Sequence, residues 1–222
     1  MDIRKLIAEA VGTFILVGMG SLAIVGVGGA GEAANIVVIA IGFGLGLLAA
    51  IAVGGHVSGG HFNPAVTLGA LLDKRVDPMT AGGYVIAQVV GAVAASGVIF
   101  AISDQATVAG TKNMPGISEL GAFTVEVVLT AIFVAVILTV TKKAAEHAML
   151  VIPLTLLTIH AVGIPFSGAS VNPARSLGPA IVSADYASIA IYLTAPFIGA
   201  AIGWFVYRVI SADDQPADVQ PA

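Results

Sequence analysis

Apolar residues run along this chain in long blocks separated by short polar breaks. Stretches without a formal charge cover 10–31, 33–72, 78–103, 127–141, 147–174 and 186–207. Most reach the ~20 residues that a helix needs to cross a hydrocarbon core, so the pattern predicts a multi-span membrane protein. Lys and Arg decide how many crossings there are, because they concentrate on the cytoplasmic side. With Arg4 and Lys5 inside, a first span at about 6–27 puts Glu32 outside. The next block, 33–72, is long enough for two crossings. Two crossings, however, would place Lys74 and Arg75 outside. One crossing, at about 35–54, keeps Lys74, Arg75, Lys142, Lys143 and Arg208 all inside. The rest of the block must then dip into the membrane and return to the same face. The same argument splits 147–174 into a span at about 148–165 and a second re-entrant segment around 166–184, entering from outside. Further spans fall at about 80–102, 119–141 and 187–210. The prediction is an all-α membrane protein of six transmembrane helices and two re-entrant half-helices, with both termini cytoplasmic.

Composition narrows the function. Residues AVILMFWYC make up 58% of the chain and DEKR only 10%, against roughly 25% charged residues in soluble proteins. The net charge of −4, with no basic run, excludes a nucleic-acid partner. With no cysteine there is no disulfide, thiolate metal site or cysteine nucleophile. No nucleophile–base set or ligand cluster suggests an enzyme, a metal or a cofactor. His56 and His61 read as loop-packing residues. Gly26-Val27-Gly28-Gly29-Ala30-Gly31 fits G-x-G-x-x-G but follows a membrane helix rather than a strand, so it reads as an outer loop. No cleavable signal is expected before the first span. Residues 211–222 read as a short, polar, disordered tail. The absence of an Asn-x-Ser/Thr acceptor fits a prokaryotic plasma membrane.

The two halves repeat, over about 3–103 and 119–210 within a single domain of residues 1–210. Glu9 precedes Thr13 in span one as Glu126 precedes Thr130 in span four, and Asn63-Pro64-Ala65 recurs as Asn172-Pro173-Ala174. Three spans per half make the second copy inverted, an arrangement that places functional sites near the midplane at interrupted helices. Asn is a strong N-cap and Pro suits the first helical position, so each motif predicts the start of a half-helix, about 64–74 and 173–183. If the two N-termini abut, each brings roughly +0.5 charge to the midplane. The preceding segments, Gly59-Gly60-His61-Phe62 and Gly168-Ala169-Ser170-Val171, predict irregular extended backbone. At this depth such backbone is tolerated only against a wet cavity, where its carbonyls would form a ladder of acceptors. Glu9 and Glu126 are costly toward lipid and are expected to hold the backbone N–H groups of these segments. Arg175, inside the second segment, is a functional candidate.

Ser58-Gly59-Gly60-His61-Phe62-Asn63-Pro64-Ala65-Val66-Thr67 and Ser170-Val171-Asn172-Pro173-Ala174-Arg175-Ser176 closely resemble the two signatures of the aquaporin (major intrinsic protein) family. The likeness extends over about residues 3–210. It implies a water channel that excludes protons and ions, assembled as a homotetramer in the lipid bilayer with one pore per subunit. It also implies an outer constriction of Phe43, His160, Ala169 and Arg175. Glycerol facilitators of the same fold keep a smaller residue where His160 sits and usually Asp where Ser176 sits, so the resemblance favours water. A glycerol or small-solute facilitator remains the alternative. An ion-coupled transporter would need acids near Asn63 or Asn172, and the sequence has none there.

Mercurials block channels by attaching to a pore thiolate. This chain has no cysteine, so water flux is expected to be insensitive to mercury at doses that leave the bilayer intact. Stopped-flow shrinkage of vesicles, with and without the reagent, checks this.

Overall fold

A computed structural model describes residues 2–211; of the predicted tail, 212–222 lie outside the described residues. Helices follow in the order α1 (Ile3–Gly26), α2 (Ala33–Ala50), a π-helical turn (Ile51–Gly55), α3 (His56–Ser58), α4 (Pro64–Leu72), α5 (Pro78–Ile102), α6 (Gln105–Gly110), α7 (Glu119–Lys143), α8 (Ala145–Ser167), α9 (Pro173–Ser183) and α10 (Ile189–Ile210). Among the described residues six rods are long and apolar enough to cross a membrane, α2 continuing through the π turn to Ser58. The half-helices α4 and α9 complete an inverted 3+3 repeat. The starts are chemically marked. Asp2, Asp77 and Ser118 cap α1, α5 and α7 with their side chains, and Pro78 occupies the first turn of α5. Lys142 and Lys143 lie in the last turn of α7 and Arg208 in that of α10, where cations complement the helix dipole.

Three departures from the sequence reading stand out. The second span does not end near 54 but continues to Ser58 through the wider π turn. The first half-helix stops at Leu72, and Lys74 turns the chain with φ 59°. A short extra helix, α6, capped by Asp104, lies between the repeats; too short to show apolar periodicity, it left no signal in the sequence.

Packing repeats across the halves. α1 lies on α5 as α7 lies on α10; α9 packs on α5, and α4 on α10. Each half-helix is thus held by the third span of the opposite half. Close approach needs glycine: a β-carbon at Gly91 would come 2.1 Å from the Ala10 carbonyl, and one at Gly199 2.5 Å from that of Val127. Hydrogen bonds repeat as well. Tyr84 Oη donates to the Ser58 carbonyl and Tyr192 Oη to that of Ser167, both at 2.8 Å.

The two buried acids receive the backbone of the re-entrant segments. Glu9 accepts from His61 N (3.0 Å), Phe62 N (2.7 Å), Ser58 Oγ (2.6 Å) and Gln88 Nε2 (2.7 Å). Glu126 accepts from Ser170 N, Val171 N and Ser167 Oγ, each at 2.7 Å. Stranding these donors costs ~1–3 kcal/mol per group. Glu126→Ala, which orphans two backbone N–H groups, is therefore expected to lower the melting temperature and the yield of monodisperse protein strongly. Thermal unfolding in detergent checks it.

Candidate functional site

The re-entrant backbone reverses direction within a few residues, which requires left-handed conformations. Gly59, Gly60 and Gly168 have positive φ, but so do Phe62 (49°), Ala169 (49°) and Val171 (45°). Left-handed non-glycine residues cost of order 1–3 kcal/mol each and persist only where the surroundings over-determine them. Here the Glu9 and Glu126 bonds do so. The segments are therefore strained turns rather than the extended strands anticipated, and each ends in an extended Asn, Asn63 at φ −159° and Asn172 at φ −150°.

Both asparagines cap their own half-helix. Asn63 Oδ1 accepts from Ala65 N at 2.8 Å; Asn172 Oδ1 accepts from Ala174 N at 3.0 Å and Arg175 N at 3.2 Å. Pro64 and Pro173 fill the first helical positions, followed by Ala65 and Ala174, both wholly buried. Each amide then crosses to the other half: Asn63 Nδ2 donates to the Val171 carbonyl (2.7 Å) and Asn172 Nδ2 to the Phe62 carbonyl (3.0 Å). This exchange ties the two N-termini together and leaves one amide hydrogen per Asn, since the group carries two.

A cavity of about 340 Å³ passes both asparagines. Its wall includes Phe43, His160, Ser170 and Arg175 toward one end and Arg75, Thr141 and Met149 toward the other. Gly59, Gly60 and His61 line it too. Phe62, Gly168 and Ala169 are not among the lining residues. The Phe62 carbonyl accepts from Asn172, and that of Gly168 from Asn113 Nδ2 at 2.8 Å. Ala169 is wholly buried beside Gly163 of α8, where an added β-carbon would lie 3.0 Å from the Ala169 methyl. His61 also does more than pack its loop: Nδ1 meets Thr67 Oγ1 at 3.1 Å, matching Ser170 Oγ against Ser176 Oγ in the other half.

At the Arg175 end three side chains converge. Phe43 and His160 stack with centroids 4.2 Å apart, and Arg175 Cζ lies 4.9 Å from the Phe43 centroid. His160 Nδ1 meets the Leu156 carbonyl at 2.9 Å, while His160 Nε2 and Arg175 Nε are buried without a protein partner. Sequence reasoning missed the brace behind this cluster. Arg175 Nη1 donates to the Thr111 carbonyl (3.1 Å) and to Asn113 Oδ1, which also accepts from Ser176 Oγ. The brace is anchored in turn. Lys112 pairs with Asp185, and its hydrogen bond holds that carboxyl below the usual range. Nothing in an isolated loop Asn distinguishes this role. Gly20 was missed as well: a β-carbon there would lie 2.2–2.4 Å from three Phe43 ring atoms.

Six spans enclosing a cavity that runs past two abutting half-helix N-termini define a membrane channel. The family model described as major intrinsic protein matches residues 1–207. The chain is 39% identical to glycerol uptake facilitator protein-like 6 of Lactiplantibacillus plantarum, over 95% of this chain and 100% of that one. It is 37% identical to aquaporin Z of Rhodopseudomonas palustris, over 96% and 95%. The solved structure of the aquaglyceroporin from Plasmodium falciparum superposes with a TM-score of 0.85 at 25% identity, covering 95% of this chain and 97% of that one. The chain belongs to the major intrinsic protein family, whose members are channels and not enzymes.

Phe43 is confined between α1 and His160. Gly20→Ala is expected to press the ring toward His160 and lower permeability by roughly tenfold, the effect of about 1.4 kcal/mol on a barrier. Adding Phe43→Leu should restore flux. Vesicle shrinkage for the single and double variants checks both.

Proposed function

We propose that this chain is a passive, water-selective channel. The observation that carries the reading is the outer cluster: two aromatic faces 4.2 Å apart under a buried guanidinium. Two of its buried polar atoms, His160 Nε2 and Arg175 Nε, have no protein partner, and so few polar contacts suit a permeant of one oxygen better than a polyol with a carbon backbone. Ala169 adds no side chain to the cavity wall, so Phe43, His160 and Arg175 set the aperture. At the midplane the remaining amide hydrogens of Asn63 and Asn172 converge on one water oxygen. That water points both hydrogens outward along the file and cannot accept from a neighbour, so a proton wire breaks there. The N-terminal ends of α4 and α9 add a barrier to hydronium and metal cations. We place the protein in the cell membrane with both termini cytoplasmic, from the charge bias of its loops, and as a homotetramer, from its family.

A glycerol or small-solute facilitator is the second reading. The Lactiplantibacillus and Plasmodium relatives, named for glycerol uptake and as an aquaglyceroporin, favour it. The two readings separate in one experiment. In vesicles of purified protein, water equilibration is expected to be fast and glycerol uptake close to the lipid background. His160→Gly with Phe43→Ala should admit glycerol. Rapid glycerol uptake by the unmodified protein would establish the second reading.

A further inference from the structure

The inverted repeat sets the outer cluster against a counterpart at the cytoplasmic end, and the two differ in chemistry. Residues 43, 47 and 51 of the second rod line the cavity, as do 152, 156 and 160 of α8. The stripes match at the 109-residue spacing of the two Asn-Pro-Ala motifs. Phe43 thus corresponds to Ile152, His160 to Ile51, Arg175 to Val66 and Ala169 to Gly60. The first and fourth spans add a further exchange. Counting from the Glu9 and Glu126 pair, Gly20, which clears room for Phe43, corresponds to Ile137, which lines the cavity. The outer ring holds an imidazole and a guanidinium. The inner ring holds Ile51, Val66, Ile137 and Ile152, none with a polar side-chain atom.

This asymmetry supplies something the rest of the path lacks. Both half-helix N-termini are positive and Arg175 is cationic, while Arg75 at the cytoplasmic mouth is already paired with Asp73 at 2.8 Å. The half-helix ends and Arg175 repel cations and attract anions. Arg175 Nε and the asparagine amides could even replace part of an anion's hydration shell. A stretch of wall that offers no donor adds a barrier to anions. An anion crossing four aliphatic side chains sheds water and gains nothing in return, which is prohibitive for an unpaired charge. A neutral water loses far less.

We propose that Ile51, Val66, Ile137 and Ile152 form a cytoplasmic apolar ring that excludes anions, a second specificity element distinct from the outer cluster. This rests on the cavity being the permeation path. The test uses fluoride, an anion close to water in size, trapped in vesicles of the purified full-length protein at mildly alkaline pH, with potassium and valinomycin balancing charge. The readout is fluoride efflux divided by water permeability in the same vesicles, which is insensitive to the folded fraction. Ile51→Thr exchanges the Cγ1–Cδ1 arm for a hydroxyl at a half-buried position; Ile51→Thr with Ile152→Thr places two hydroxyl donors in the ring. The ratio is expected to rise in the single variant and by roughly tenfold or more in the double, with potassium leak without valinomycin staying at background. An unchanged ratio in a water-conducting Ile51→Thr protein overturns the proposal. So does a potassium leak that rises in step with fluoride, because it would mean a generally loosened pore. Failure of the unmodified protein to conduct water would instead overturn the water-channel reading.

Discussion

Non-helical backbone has no water to bond with at membrane depth, and this chain places two such segments there. Everything else about the site depends on how their N–H groups are satisfied. Glu9 and Glu126 do it from α1 and α7, each taking two consecutive backbone donors. With those groups held, the left-handed turns at Phe62, Ala169 and Val171 can persist. Only then do Asn63 and Asn172 arrive with oxygens turned to their own helices and amides to each other's backbone. Holding these backbone donors rigidifies the segments and sets the midplane geometry.

The halves meet the same demand with different parts. Glu9 also receives Gln88 Nε2, which bonds Thr67 as well. The corresponding residue in the second half is Pro196, which has no donor. Thr13 donates to the Glu9 carbonyl, whereas Thr130 Oγ1 is buried without a protein partner. The second half compensates through Ser170 and Ser176 and through Asn113, which reaches in from the segment between the repeats. The first half is thus stitched by its own spans, and the second by its own spans together with a loop.

Much of this was legible in the sequence because it follows from strong constraints. Charge placement forced the six crossings and two re-entrant segments, and Asn followed by Pro marked both half-helix starts. What escaped notice depends on contacts distant in sequence. Asn113 is one polar residue in a loop until Arg175 lies beside it. Gly20 is one of 27 glycines until the Phe43 ring is seen against it. The π turn at Ile51–Gly55 has the same apolar composition as the α-helix it interrupts. The left-handed turns were hidden because Phe, Ala and Val do not advertise positive φ, as glycine does. The extended reading of Gly59–Phe62 and Gly168–Val171 missed them for that reason.

The crossed packing of the half-helices bears on how the chain is assembled. α4 leaves the ribosome early, yet it rests on α10, the last span. Arg75, just beyond α4, donates to Thr141 Oγ1 and the Leu138 carbonyl on α7 and to Tyr207 Oη on α10. None of these partners exists when the first three spans enter the bilayer. The first re-entrant segment therefore enters with only its α1 and α5 neighbours in place and is completed when α7 and α10 arrive. α9 meets α5, already in place, before it meets α10. Both half-helices are thus finished by the last span, and the first waits longer for it.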